Sequence, residues 1–304
     1  MDIIPYLQPI ATIAAPTIAF IVSSVMTRLF LRGDNASDEF EKIKAGKFNE
    51  VLDSLLRSEK MSYFELYKCK NFLKIAKMAD EIHIHRNNEF NHNNTQPINK
   101  YDTDKFDFDW YMRFFDGAGS VSNEQIQSLW AAVLEDRITS PGFCSLRTLE
   151  TLHNLSRKEA EIFLQAAKFV LRDNFGSVFL IDAAYESLDV EDGLLTEHKF
   201  IVLEECGLAS SIRYSDPFDT FIRFSFENPI AKFTSVLKEG ANTSLQFRFA
   251  YLTSSARQLL AILNVEPNDS IIKGVAQAIR KNHSKEINIR VTKKKNDSWA
   301  KMLK

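Results

Sequence analysis

The residues best suited to catalysis by type and spacing are the aspartates of one short segment. They are Asp102, Asp104, Asp107, Asp109 and Asp116. Neighbouring carboxylates are good ligands for Mg²⁺, which could support phosphoryl chemistry of the nuclease type. No glycine-rich phosphate loop accompanies these acids, and acidic residues are common at helix starts. A metal-dependent nuclease-like enzyme that uses the Asp102–Asp116 cluster is therefore an alternative hypothesis, and we assign no catalytic residue.

The histidines do not form a convincing metal site. His83 and His85 are two residues apart, with His92 nearby. Side chains with this spacing point in different directions on a helix. Because they adjoin an asparagine-rich segment, we expect these histidines to be solvated.

The three cysteines, Cys69, Cys144 and Cys206, are far apart in the chain. An odd number with this spacing fits neither a disulfide framework nor a zinc site. We expect free thiols in a reducing compartment, with Cys144 buried as a small hydrophobic residue. The patterns G-x-S-x-G and H-E-x-x-H and the phosphate-binding loop are absent. The sequence therefore predicts a protein that is not an enzyme, with no cofactor and no metal.

The N-terminus carries the longest apolar segment, because no charged residue occurs from Ile3 to Thr27. About 20 apolar residues suffice for a helix to cross a bilayer. We therefore predict a membrane-spanning helix within residues 1–32. The span residues are expected to include Ile10, Ile13, Pro16, Thr17, Phe20, Ile21, Ser24 and Val25.

Two features of this segment indicate self-association. Pro16 should kink the helix and free a backbone carbonyl. Thr17 and Ser24 are seven residues apart and share one helix face, where small polar groups can hydrogen-bond between helices in lipid. The expected partners are therefore the membrane and further copies of the chain in a homo-oligomer.

Charge predicts the orientation of the span. Arg28 and Arg32 follow the apolar run at once, and basic residues favour the cytoplasmic side. We expect a single-pass protein of the inner (cytoplasmic) membrane with its C-terminal region in the cytoplasm. An apolar helix buried in the protein or in an oligomer is the alternative. A cleaved signal peptide fits poorly, because its basic first region is missing.

Composition favours helices in the rest of the chain. The 304 residues include 24 phenylalanines and 10 glycines, with a net charge of −2. We predict a mainly α protein with an N-terminal transmembrane helix, a helical core and a smaller α+β winged-helix-like C-terminal module. The expected segments are 1–32 (membrane-spanning or apolar helix), 33–86 (helical), 87–105 (asparagine-rich linker), 106–185 (helical core), 186–292 (winged-helix-like module) and 293–304 (basic tail).

Capping motifs predict several helix starts. Ser62-x-x-Glu65 and Ser156-x-x-Glu159 have the pattern of capping boxes. The helix that follows Ser156 is expected to continue to about Phe175.

Two further helices are expected in the helical core. Asp109 should start an aromatic helix over Trp110–Phe115, which Gly117 and Gly119 should interrupt. Ser122 should cap the next helix.

The C-terminal part shows the element order of a winged helix. Thr196 should start a helix that Gly207 ends, and strands and a further helix capped by Thr253 should follow. The expected strands are 212–214, 221–226, 245–252 and 287–291, and the expected helices after Thr253 are 253–263 and 270–281.

The charges of this module disfavour nucleic acid as a partner. The helix after Thr196 carries Glu197, Glu204 and Glu205 against Lys199, whereas a helix that reads DNA should be basic. This pattern favours protein–protein contact, and a winged-helix DNA-binding regulator is kept as an alternative. The basic tail from Lys293 could contact an anionic leaflet or be solvated.

One stretch of the chain resembles a known family. The segments that carry the resemblance are FDWYMRFF at 108–115, VSNEQ at 121–125, LWA at 129–131 and LRTLE at 146–150. Weaker similarity extends over most of residues 60–265. The pattern is similar to a bacterial family catalogued as a domain of unknown function, number 2806, which is loosely akin to abortive-infection proteins. This resemblance implies a helical fold and a link with antiphage defence, and it implies no catalytic residues.

The resulting hypothesis is a membrane-anchored bacterial protein with a cytoplasmic partner-binding or sensing region. Its most specific form is an antiphage effector of the abortive-infection type.

Overall fold

The computed structural model describes most of the chain after residue 47 and few residues before it. The described ranges are 48–57, 61–91, 107–140, 143–182, 195–215, 223–237, 247–263, 265–283, 287–294 and 297–303, with Val22, Val25, Lys42 and Glu59. The chain divides into two compact units, Met1–His153 and Asn154–Lys304. Each unit has a core of its own.

The first unit is helical. Its described helices are α1 (Phe48–Arg57), α2 (Tyr63–Asn91), α3 (Phe108–Gly119), α4 (Glu124–Thr139) and α5 (Leu146–Asn154). The long helix α2 packs against α1, α3 and α4. Helix α4 is buried around nearly its whole circumference from Ile126 to Ile138, as expected of a central helix.

Aromatic side chains from α2, α3 and α4 form the core of this unit. Phe72 meets Phe115 edge-on at 5.1 Å, and Phe114 meets Trp130 edge-on at 5.2 Å. These are favourable geometries for aromatic pairs. Gly117 lies against this cluster, where a Cβ atom would be 2.5 Å from Trp130 Cη2. The close approach of α3 to Trp130 therefore requires glycine at this position.

The second unit combines helices with one antiparallel sheet. Its helices are α6 (Arg157–Ala167), α7 (Glu197–Glu205), α8 (Ser254–Leu263), α9 (Asp269–His283) and α10 (Trp299–Leu303). Its strands are β1 (Val170–Asp173), β2 (Val178–Ile181), β3 (Arg213–Ser215), β4 (Arg223–Glu227), β5 (Ala231–Leu237), β6 (Phe247–Tyr251) and β7 (Ile287–Lys293).

The strand order in this sheet is β3-β6-β2-β1-β4-β5-β7. Phe179, Phe226, Phe233 and Phe249 pack together on it, with ring centroids 5.5–5.9 Å apart in successive pairs. Helix α9 packs against β5 and β7, α6 against α7, and α8 against α10. The structure is thus helix-rich, as the sequence predicted, and its C-terminal part contains an antiparallel sheet.

Local signals predicted several elements correctly. Both capping boxes form, with Ser62 Oγ accepting from Glu65 N at 3.2 Å and Ser156 Oγ accepting from Glu159 N at 3.4 Å. Gly207 ends α7 with a φ of +68°, a conformation that favours glycine. These motifs act between neighbours in the sequence, so they are readable without the tertiary structure.

Other predicted boundaries are wrong. The helix after Ser156 ends at Ala167, not near Phe175, and a strand begins at Val170. An apolar run of this length fits a buried strand as well as a helix, and pairing with β2 and β4 decides for the strand.

The two other helix starts were misplaced by one or two residues. Asp107 caps α3 and Asn123 caps α4, where Asp109 and Ser122 were expected. The helix α3 also continues to Gly119 instead of breaking at Gly117. Helix α2 continues to Asn91, into the segment predicted as a linker.

The C-terminal strands form a larger sheet than a winged helix would have. Strand β5 was not predicted, and β1 and β2 lie within the segment predicted as helical core. The C-terminal tail is also more ordered than a solvated tail, since α10 packs against α8 and Trp299 is fully buried.

Candidate functional site

A buried carboxylate, Glu135, lies where α4 packs against α2. Its side chain is fully buried. Arg86 donates a hydrogen bond to Glu135 Oε2, and His83 Nδ1 lies 3.5 Å from Oε1. The side chains of Arg86 and His83 keep 33% and 14% of their exposure. The buried carboxylate of α4 is therefore stabilised by two basic residues that lie one turn apart on α2.

Burial raises the pKa of Glu135, and Arg86 and His83 offset this rise only in part by favouring the charged form. The carboxylate could exchange a proton, but a fully buried group cannot contact a substrate. We therefore interpret this group as a link between α2 and α4. His83 was expected to be solvated, and this expectation is wrong because it lies against Glu135. His85 is exposed, and His92 lies outside the described residues.

A second charged pair holds the start of α3. Arg137 Nη2 donates to Asp107 Oδ2 at 3.0 Å, and its guanidinium lies 4.9 Å from the centre of the Trp110 ring. Asp107 Oδ1 also accepts from Trp110 N at 3.1 Å. Trp110 Nε1 in turn donates to Cys144 O at 3.0 Å. These contacts fix the beginning of α3 against the end of α4.

No sequence motif singled out Arg86, Glu135 or Arg137. One signal could have found the last two. Glu135, Asp136 and Arg137 are consecutive charged residues in a helix whose other central positions are apolar, and all three are buried. Charged residues are rarely buried unless they are paired, so their position within an apolar helix could have predicted buried ion pairs.

The described aspartates of the Asp102–Asp116 segment have separate structural roles. Asp107 caps α3, Asp109 is exposed on that helix, and Asp116 pairs with Lys68 of α2. Asp102 and Asp104 lie outside the described residues. Among the residues that the structure describes, no group of three or more His, Cys, Asp or Glu could hold a metal ion.

The thiols are poorly suited to nucleophilic chemistry. Cys69 and Cys144 are buried and Cys206 is partly exposed. Burial raises the pKa of Cys144 to about 12 and that of Cys206 to about 11, and it also raises the pKa of Cys69. The thiolate is the reactive form, so these groups are neutral thiols near pH 7.

An exposed aromatic surface lies at the beginning of α2. It consists of Tyr63, Phe64 and Tyr67, whose exposed fractions are 66%, 64% and 42%. Lys68 Nζ lies 5.2 Å from the centre of the Phe64 ring and pairs with Asp116 of α3. Aromatic residues on a fixed helix are typical anchors of protein interfaces.

The predicted span falls almost wholly outside the described residues. This holds for Ile10, Ile13, Pro16, Thr17, Phe20, Ile21 and Ser24, and for the charge boundary at Arg28 and Arg32. Val22 and Val25 are described, and both are helical and fully buried within the chain. Within the described ranges, no helix has the length and apolar character needed to cross a bilayer.

The acidic helix α7 is tied to its own unit by its charges. Glu197 Oε1 accepts from Arg248 Nη2 of β6 at 2.6 Å, and Lys199 Nζ donates to Gln165 of α6 at 2.8 Å. Ser211 donates to Glu204. These contacts place the polar groups of α7 against neighbouring elements.

The chain contains a region similar to an uncharacterised domain family. The family described as "Protein of unknown function (DUF2806)" matches residues 74–201. The match is narrower than the resemblance seen in the sequence, and it includes Glu135 with its partners Arg86 and His83. No curated protein matches the chain. No solved structure matches it either.

Proposed function

We propose that this chain is a membrane-anchored bacterial protein that binds a partner through its helical unit and catalyses no reaction. The observation that carries the proposal is the aromatic surface of Tyr63, Phe64 and Tyr67 on α2. Three large side chains on one exposed turn are more than the scattered apolar residues of an ordinary surface. Helix α2 is held against α3 and α4, so the surface is fixed before a partner arrives.

The charge-free run from Ile3 to Thr27 supports the membrane part of the proposal. In this arrangement the run inserts in the inner membrane, and the face with Val22 and Val25 packs against protein. Thr17 and Ser24 would mediate assembly of several copies, and the C-terminal region would stay in the cytoplasm. The resemblance to the family of unknown function, which is loosely akin to abortive-infection proteins, supports antiphage defence as the biological role.

Fractionation of bacterial cells tests the anchor. The full chain should be found in the membrane fraction and need detergent for release, because about 20 apolar residues are removed from water on insertion. A chain that starts at Gly33 should be released without detergent. A full chain that stays in the soluble fraction would contradict membrane anchoring.

The role of the aromatic surface is tested by plaque formation on cells that express the chain. Tyr63→Ala, Phe64→Ala and Tyr67→Ala combined should abolish protection from phage while leaving the membrane fraction and the thermal stability unchanged. Ile84→Ala is a matched control, because Ile84 is an exposed apolar residue of the same helix with 40% exposure. Equal protection by the triple variant and the parent would show that the surface has no role in defence.

A further inference from the structure

The two faces of the β4-β5-β7 half of the sheet differ in chemistry. Alternate residues of β5 are buried, as shown by Ala231, Phe233 and Ser235, whereas Lys232 between them is exposed. Residues that face each other across an antiparallel pair point to the same side of the sheet. The register therefore identifies which residues share the exposed side with Lys232.

Two rows of polar residues cross this side of the sheet, which we name the polar sheet face. The first row runs Arg172, Glu227, Lys232 and Thr292 over β1, β4, β5 and β7. The second row runs Ser225, Thr234 and Arg290 over β4, β5 and β7. Neighbouring strands are about 4.8 Å apart, so three cations, three hydroxyl groups and the Glu227 carboxylate lie close together over four strands.

The charge of this face is positive in a chain whose net charge is −2. Glu227 is shared by three cations, with Arg172 at 3.6 Å, Lys232 at 4.0 Å and Lys294 at 3.3 Å. Lys294 also pairs with Asp297 at 2.6 Å. Arg290 adds a further exposed cation. Two carboxylates thus stand against four cations.

An exposed aromatic residue lies at the edge of this cationic region. Phe175 is 58% exposed on the β1–β2 turn. The turn is fixed by Asp173 Oδ1, which accepts from the backbone N–H groups of Phe175 and Ser177 at 2.8 Å each. Arg172 reaches the same turn, since its Nη2 would lie 3.7 Å from a Cβ atom at Gly176.

We propose that the polar sheet face with Phe175 binds single-stranded nucleic acid. Proteins of this kind combine a positively charged surface along the phosphates with aromatic side chains on which bases stack. Hydroxyl groups such as those of Thr234 and Thr292 are common partners of phosphate oxygens, and neither of these residues is buried. The exposed Phe175 beside these cations favours a polynucleotide, whose bases can stack on it, over an anionic lipid surface. The proposal does not depend on the aromatic surface of α2 or on the membrane anchor.

The test measures fluorescence anisotropy of labelled oligo-dT and oligo-rU of about 20 nucleotides with the full chain in detergent. We expect the logarithm of the association constant to fall linearly with the logarithm of the salt concentration. The slope should be about −2, as for three neutralised phosphates. Lys232→Gln combined with Arg290→Gln should weaken binding and reduce the slope by about 1.4, because each lost cation removes about 0.7. The two oligonucleotides together show whether DNA or RNA is preferred.

Phe175→Ala should weaken binding by about tenfold and leave the salt slope unchanged, because stacking carries no charge. Arg257→Gln and Ile201→Ala are the controls, since both residues are exposed elsewhere in the same unit. Each variant is checked by circular dichroism.

Several outcomes would overturn the proposal. One is the absence of binding by the parent chain at low salt. Another is an equal loss of affinity in Arg257→Gln and in the double variant. A third comes from mixing the chain that starts at Gly33 with phosphatidylserine vesicles and the oligonucleotides. If the chain binds the vesicles through Lys232 and Arg290 and does not bind the oligonucleotides, the face binds a membrane surface instead.

Discussion

Glu135 illustrates how one residue can couple two helices. Its carboxylate is fully buried on α4, and Arg86 and His83 reach it from α2. Removing a charge from water is costly, so a buried acid is tolerated when basic partners surround it. The group therefore specifies which turns of α2 and α4 meet, and its contribution should vary with pH.

The first prediction concerns this pH dependence. The pKa of Glu135 is raised in the folded chain above its ordinary value of 4.5. At pH values between 4.5 and the raised pKa, the folded state therefore keeps a proton that the unfolded state has lost. The free energy of unfolding should thus fall as pH rises through that interval. Glu135→Gln should reduce this slope, which urea unfolding at a series of pH values measures.

A second variant, compared with Glu135→Gln, separates the loss of the charge from the loss of side-chain volume. Glu135→Ala should lower the free energy of unfolding at pH 7 by about 2 kcal/mol, less than a fully buried pair would lose, because Arg86 keeps contact with water. Glu150→Ala is the control, since Glu150 pairs with Arg113 on the surface. Equal losses in both variants would show that Glu135 does not link the helices.

At the scale of the element, helix α6 is defined by its two ends. Ser156 and Glu159 form a complete capping box at its start. Its end at Ala167 follows from the strand pairing of the next residues. The start is local and the end is not, so the sequence predicted only the start correctly.

The capping box gives the next prediction. Ser156→Ala should lower the free energy of unfolding by about 1 kcal/mol above pH 5. Hydrogen bonds from Ser156 lower the pKa of Glu159, so this part of the stability is present above the ordinary carboxyl pKa and is lost as pH falls through the lowered value. The difference between parent and variant should therefore shrink in acid. Lys158→Gln, an exposed neighbour on the same helix, should show no such change.

For the whole molecule, the division into two compact units has a consequence for folding. The second unit has its own sheet, its own phenylalanine core and the buried Trp299 of α10. A unit of this size with a core of its own can fold without the rest of the chain.

We expect residues 154–304 produced alone to unfold in one cooperative transition. Trp299 is the only tryptophan in this fragment, so its fluorescence reports the transition directly. Removing residues 299–304 should destabilise the fragment by about 3 kcal/mol or more, because a large buried aromatic is lost; circular dichroism follows this shorter fragment. A fragment 154–304 without a cooperative transition would mean that its core depends on the first unit.

The sequence by itself determined the features set by neighbouring residues. The capping boxes, the glycine that ends α7, the strands β6 and β7 and most helices followed from periodicity and from turn residues. Such signals act over a few positions, where the chain geometry leaves little choice. The acidic character of α7 and the apolar run at the N-terminus were likewise read directly from the sequence.

Only the tertiary structure decided which distant residues meet. Arg86 and Glu135 are 49 positions apart, and nothing local indicates that they pair. The same holds for the sheet, where β1 pairs with β4 and β2 pairs with β6, although α7 lies between the members of each pair in the sequence. An apolar segment such as Val170–Asp173 can be helix or strand by its own preference, and the strands that pair with it select one state. The polar sheet face exists for the same reason, because its rows are assembled from strands that are distant in the sequence.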